Sequence, residues 1–327
     1  MKAITNYAIK FLKMIIMPVF VYVLMLILAP RGFGTPMVLK IVLTQALIPT
    51  MLGYGMCFTQ VAGLNNLGGG AIVISGAMFG GSLGVQFGLP GLILGSVLAG
   101  LLMGMITGGV YTVFKIPSLV VSIGIILVFE VISFEIVGAY LTIPTTISFL
   151  GKYPYNVFIV LGGAVLFYFM YYKTKFSCHL RAVGSEELLA KTMGVKTEWI
   201  KFLAFAVSGL FFGITAFLQV GYAGGASAVS DLSSLSTVFQ PLIGVMVAMA
   251  MRKIYNLAIG VFVTSFSVSL LFNGLIAMGL PDTMQNVVLG IFLILVLAFT
   301  SYSEVITKYI QHFRVFFAKT QRESVKG

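Results

Sequence analysis

Ten times along this chain an apolar run appears that is close to the roughly 20 residues a helix needs to cross the hydrocarbon layer of a bilayer. The runs lie near 13–30, 39–62, 71–88, 90–114, 116–138, 155–172, 201–220, 236–251, 255–279 and 284–302. A backbone in lipid must satisfy its own N–H and C=O groups, so the runs are expected to be helices. A water-soluble fold is excluded by composition. With 59% hydrophobic residues, 9% charged residues and a mean hydropathy of +1.07, the chain carries more apolar surface than a soluble core can hide. The fold class expected is an all-α polytopic membrane protein of about ten transmembrane helices, forming one domain over residues 1–327.

The first run follows Lys2, Lys10 and Lys13 and ends at Pro30-Arg31-Gly32 with no small-residue cleavage site, so it is read as a span and not as a signal peptide. With both termini placed in the cytoplasm, the inner side receives those three lysines, Lys115, every basic residue from Lys173 to Lys201, Arg252, Lys253 and the basic tail at 303–327. Only Arg31, Lys40 and Lys152 remain outside. Basic residues favour the cytoplasmic side, which supports this count and orientation. The net charge of +11 is thereby absorbed by topology, and nucleic acid is not an expected partner. Ten spans divide into halves at about 1–138 and 155–302. Five spans per half give the halves opposite orientations, the inverted-repeat layout of many transporters.

Cys57 and Cys178 lie far apart in unlike settings, and neither a metal site nor a disulfide is expected of them. No Gly-Lys-Ser or Gly-Lys-Thr occurs, so no phosphate-binding loop of the G-x-x-x-x-G-K-[ST] type is present and no nucleotide cofactor is expected on this chain. Gly76, Gly80, Gly84 and Gly88, and then Gly100, Gly104 and Gly108, recur every fourth residue, the spacing that lets helix backbones approach closely in lipid. The stretch GLNNLGGGAIVISGAM, residues 63–78, is different. Two asparagines and three successive glycines predict a broken helix beside a pathway, which membrane depth tolerates only inside protein or beside a wet cavity, with a simple turn between spans as the alternative.

Polar residues mark a candidate solute pathway: Gln45, Asn65, Asn66, Ser75, Ser118, Ser122, Glu130, Gln240, Asn273 and Asn286 fall at or within the runs. Ser118, Ser122 and Ser133 lie within about 60° on a helical wheel, with Glu130 nearby. Amides and hydroxyls suit an uncharged polyhydroxylated or heterocyclic solute, and each of them equally suits a bond between helices. Glu130 and Glu135 are the acids inside a run. Both histidines, His179 and His312, lie in expected cytoplasmic segments, so neither a proton relay nor a catalytic constellation is assembled and no enzyme activity is expected.

Charge crowds between Lys173 and Lys201. Within AVGSEELLAKTMGV, residues 182–195, Ser185 is expected to cap a helix of about two and a half turns that carries Glu186 and Glu187 in its first turn, with Leu189 and Met193 four residues apart and Gly194 as its stop. So short a helix needs something docked on it. The stretch resembles the cytoplasmic loop of ABC importer permeases of the ribose and simple-sugar, autoinducer and nucleoside branch. Gly184, Glu187, Gly194 and Val195 stand at that family's positions, with Leu188 and Leu189 in place of its paired alanines. KIPSLVVSIG at 115–124, KFLAFAVSGL at 201–210 and the Gly-rich 63–78 stretch extend the likeness over most of the chain. The Asp that often follows the glycines in sugar permeases is absent, and the Gly-Asn-rich start of the stretch resembles the nucleoside type more. FQPLIGVMVAMAMRK replaces a usual Gly-Gly motif, fitting either a heterodimer or drift within a homodimer.

The resemblance implies a permease in a bacterial inner (plasma) membrane, paired with a second permease and served by an external solute-binding protein. It implies cytoplasmic ABC ATPase subunits that use the ATP and dock on a coupling loop at 173–200 through Gly184, Ser185, Glu186, Glu187, Leu188, Leu189, Met193 and Gly194. A self-sufficient secondary transporter or channel is the alternative.

Overall fold

Proline and glycine punctuate the helices here more than polar loops do. The computed structural model describes residues 17–28, 33–252 and 256–281, together with 284–285, 287–288, 290–292 and 294. After the short apolar helix α1 (Met17–Leu28), α2 (Pro36–Val61) begins on a proline, the residue best suited to a first helical turn. It is followed by α3 (Gly69–Phe114), α4 (Ser118–Val137), the single turn α5 (Thr145–Ser148), α6 (Tyr155–Lys173), α7 (Lys175–Ser185), α8 (Glu187–Thr192), α9 (Thr197–Ala223), α10 (Ser236–Ala250) and α11 (Leu257–Ala277). Among the described residues, seven helices are long and apolar enough to cross a membrane. The first and last expected spans and the 303–327 tail lie wholly or partly outside the described residues.

The 46-residue α3 is two helices. Gly88 takes φ 69° and ψ −151°, a conformation open to glycine and hostile to side chains, and Pro90 follows it. The arms fold back on one another, with Gly80 against the backbone of Ser96 and Gly84 against Leu92. The expected spans at 71–88 and 90–114 are therefore both present, and Gly88 is their turn and not part of a packing groove. The remaining spaced glycines do pack. Gly100 lies against Gly213 and Gly104 against Gly209, so α3 and α9 cross with their backbones in contact. Helices α2 and α9 are the most buried and form the centre of the bundle. An aromatic cluster of Tyr54, Phe58, Phe167, Tyr171 and Phe211 fastens α2 to α6 and α9.

One departure from an all-helical expectation is a two-stranded ribbon. Strand β1 (Tyr140–Thr142) pairs antiparallel with β2 (Gly225–Ser227), Leu141 opposite Ala226. It ties the segment after α4 to the segment after α9, and three-residue strands carry no periodic signal by which to be predicted. Charge divides the two ends of the bundle. Lys115 pairs with Glu198 and Lys201 with Glu187, and the Tyr172 hydroxyl accepts from the Leu257 amide, which places Arg252 and the α6–α9 connection at that same basic end. Lys40, stacked over the Tyr153 ring at 4.4 Å, lies at the other end.

Candidate functional site

Pro49 inside α2 and Pro241 inside α10 set the geometry of the site. A proline has no N–H to give to the carbonyl four residues earlier, so the Gln45 and Thr237 carbonyls lose their regular helical partners. Both residues line one cavity of about 360 Å³, together with Ile48, Pro49, Leu52, Val73, Thr215, Gln219, Tyr222, Ala223 and Gln240. Gln45 lies early in α2, Tyr222 and Ala223 in the last turn of α9 and Thr237 in the first turn of α10, so the cavity occupies the end of the bundle away from the basic cluster.

Its polar groups lean toward acceptance. The Thr215 hydroxyl donates to the Phe211 carbonyl and the Thr237 hydroxyl to the Ser234 carbonyl, each at a distance of 2.8 or 2.7 Å. Each is left with oxygen lone pairs to offer. The Gln240 amide nitrogen donates to Ser269 at 2.7 Å, leaving its amide oxygen. Gln45 and Gln219 are half-buried, and neither has a hydrogen-bond partner among the described residues. No lining residue is charged.

Glu130 does not line this cavity but fixes one wall of it. Buried to 2% exposure in α4, it accepts the Leu232 amide on one carboxyl oxygen and the Ser234 amide on the other, both at 3.1 Å. The segment so held carries Asp231 and Leu232 at φ 59° and 63°, unfavourable for residues with side chains, and leads directly to Thr237 and Gln240.

The other predicted pathway residues build a scaffold. Helix α2 stops at Val61 and α3 starts at Gly69, with Gly69 and Gly70 already helical, so the unwound backbone at 62–68 is a turn between two successive spans and not the broken helix expected from the asparagines and glycines. The Asn65 amide donates to the Ser118 hydroxyl, and the Ser122 hydroxyl donates to the Asn65 carbonyl. Asn66 accepts from the Gly68 amide and reaches Ser208 at 3.5 Å. Ser75 donates to the Phe129 carbonyl and Asn273 to the Ser269 carbonyl. For these residues the bond between or along helices is what the structure places, while Gln45 and Gln240 face the cavity. Asn286 lies outside the described residues. Sequence reasoning passed over Thr215, Gln219, Tyr222 and Thr237, and of these Gln219 was legible as an amide inside an apolar run.

The basic end holds the short helix on which docking was expected. Helix α7 continues through Ser185, whose hydroxyl donates back to the Ala182 carbonyl, so Ser185 closes α7 and does not cap α8. The break comes at Glu186, extended at φ −156°, and α8 is only six residues long, shorter than the predicted two and a half turns. Gly194 ends the turn at φ 81°. Leu188, Leu189 and Met193 are left exposed while Ala190 is buried. Glu187 meets Lys201 at 2.7 Å, and Lys201 reaches the Tyr111 hydroxyl at 3.4 Å, joining α8 to α9 and α3. Gly184 lies directly on the Val61 carbonyl, where a Cβ would collide with the backbone. The end of α7 thus bears on the point where α2 gives way to the unwound segment.

A sequence family described as the branched-chain amino acid transport system / permease component matches residues 38–297. The chain belongs to that family. The permease is also 26% identical over 149 residues to the probable ABC transporter permease protein YphD of Escherichia coli (strain K12). That stretch covers 45% of this permease and 43% of YphD, less than half of either. No solved structure matches the permease. Family and helices together make it a multi-pass inner-membrane transport protein and not an enzyme.

Proposed function

We propose that this chain is the translocating subunit of an ATP-driven importer for a small, uncharged, hydroxyl-rich solute of the simple-sugar or nucleoside kind. The observation that carries the reading is the charge-free, acceptor-rich cavity at the end of the bundle opposite the basic cluster. A zwitterion brought there would need fixed counter-charges, because burying an unpaired charge costs far more than burying a hydrogen-bonded hydroxyl. Hydroxyl donors meet the Thr215 and Thr237 oxygens, the Gln240 amide oxygen and the two carbonyls released by proline.

The motor reading is supported by α8. Two leucines left exposed on a six-residue helix at the basic end, with an exposed methionine just after it, suit a partner surface, and YphD is named as a probable ABC transporter permease. Separate cytoplasmic ATPases use the ATP, with a second permease copy or homologue and an external binding protein completing the complex. Ten spans in two inverted halves, with both termini in the cytoplasm, fit the charge distribution. Closure of the ATPases moves α8, and Gly184 passes that movement to Val61 and the unwound segment.

Uptake by the reconstituted complex tests this. Glu187→Ala is expected to lower solute uptake more than tenfold while ATP hydrolysis persists, since it severs the tie from α8 to Lys201, a half-exposed ion pair that contributes only about 0.2–1 kcal/mol to stability and so should spare the fold. Ion-gradient uptake by this chain alone, or inhibition of uptake by leucine but not by ribose or uridine, would overturn the reading.

A further inference from the structure

A second and larger cavity, about 710 Å³, opens at the basic end between the last turns of α3, the end of α8 and the first turns of α9. Its walls combine three properties that the solute cavity lacks. Lys191 and Lys196 are exposed, and neither has an ion-pair partner among the described residues. The acid in the wall, Glu198, is already matched by Lys115 at 3.2 Å, so the groove keeps a net positive charge. The chain's single tryptophan, Trp199, is 57% exposed and stacks on Phe202 with ring centroids 5.2 Å apart.

The groove is also continuous with the outer surface of α3. Leu102, Ile106, Gly109 and Val113 share one helical stripe at spacings of three and four. Leu102, Ile106 and Val113 are exposed apolar residues, while Gly109 opens into the groove with no atom where its Cβ would be. An apolar stripe on a membrane-spanning helix therefore runs into a basic pocket floored by aromatic rings. Tryptophan concentrates at membrane interfaces, and basic pockets between transmembrane helices attract acidic lipid headgroups. The start of α9 adds to this, since Thr197, Glu198 and Trp199 line the groove and the first-turn amides of a helix favour an anion.

We propose that this groove is a binding site for an anionic phospholipid, its phosphate held by Lys191 and Lys196 and its acyl chain lying along the Leu102–Val113 stripe. Charge complementarity and the continuous apolar track both point to lipid, because a soluble phosphate would use the lysines and leave the track unused. The site requires only the membrane position of this end of the bundle. It does not depend on the motor or on the identity of the solute.

Because Trp199 is the sole tryptophan, its fluorescence reads the groove directly. The full-length chain in bilayer nanodiscs is compared with equal mole fractions of phosphatidylglycerol or phosphatidylcholine, each brominated on the acyl chains to quench a neighbouring indole. Phosphatidylglycerol is expected to occupy the quenching position at least about fivefold more strongly, a preference that Lys191→Gln/Lys196→Gln abolishes and that Lys173→Gln/Lys175→Gln, outside the groove, retains. Equal quenching by the two lipids overturns the proposal, as does a preference that survives the Lys191/Lys196 double substitution. Relief of quenching by millimolar glycerol 3-phosphate would mark a soluble-anion site and would equally overturn it.

Discussion

At the scale of single residues, Glu130 shows how a polar group in a membrane helix can serve a site it does not touch. Two backbone amides converge on its two carboxyl oxygens, and the backbone between them passes through two left-handed residues that bear side chains. Such backbone persists only where its surroundings hold it. Removing the carboxyl group strands both amides, and each unmet buried donor costs about 1–3 kcal/mol. Glu130→Ala is therefore expected to lower the thermal unfolding midpoint of the detergent-solubilised protein by several degrees. It should also weaken solute uptake, because the Asp231–Ser236 segment no longer presents Thr237 and Gln240 in place. Glu130→Gln keeps one acceptor and should fall between Ala and the native residue. An Ala variant as stable and as active as the native protein would show that the bracket holds nothing of consequence. Gln45 and Gln219 present the opposite case, half-buried amides that line the cavity and have no hydrogen-bond partner among the described residues.

At the scale of elements, packing in lipid depends on how closely backbones approach, since burial of apolar side chains offers little drive there. The α3–α9 crossing rests on Gly100 against Gly213 and Gly104 against Gly209, where any side chain would meet backbone atoms. Overpacking a fitted contact costs about 1–3 kcal/mol or more where backbone cannot yield. Gly104→Val should thus reduce the monodisperse fraction on size-exclusion chromatography severely. Gly124→Val in α4 and Gly162→Val in α6, positions where a Cβ meets open space, should leave it nearly unchanged. Comparable losses in all three would mean that glycine content, and not this crossing, limits folding. The packing face of α3 was readable in the sequence because a four-residue period projects onto one helix face, though its partner on α9 was not, and the described spans were readable because the bilayer sets their length. The break at 62–68 was legible from Asn65-Asn66 and the glycines, but its kind was not, since it is a turn between two spans and not a helix broken within one. What sequence could not supply was the arrangement between elements. Ser185 has the chemistry of a helix cap, but the preceding helix extends far enough to claim it, and hydrophobic pattern is silent where α7 and α8 meet. Thr215 and Thr237 read as ordinary apolar-helix hydroxyls until the fold brings them to Gln45. The ribbon of β1 and β2 joins residues more than eighty positions apart, beyond the reach of any local rule.

At the scale of the whole molecule, orientation decides the meaning of both ends. The cavity receives solute from outside, and α8 meets an ATPase inside, only if the basic end faces the cytoplasm. Two features make this testable without engineering. The two cysteines differ completely in access, Cys57 being buried within α2 and Cys178 exposed on α7, the helix before α8. A membrane-impermeant maleimide therefore reports on one position alone, and thiol alkylation needs only an accessible sulfur. Intact cells or right-side-out vesicles are expected to leave the protein unlabelled. Inverted vesicles should label it to near completion, and Cys178→Ser should erase the signal without altering insertion. The charge argument predicts the same outcome independently, since moving the whole Lys173–Lys201 group to the outer face would set six of the chain's 20 lysines and arginines against the retention that cytoplasmic loops show. Labelling of Cys178 from outside would place α8 beyond the reach of any cytosolic motor. The acceptor-rich cavity would then open inward, as a release site and not a receiving one, and the direction assigned to transport would have to be reversed.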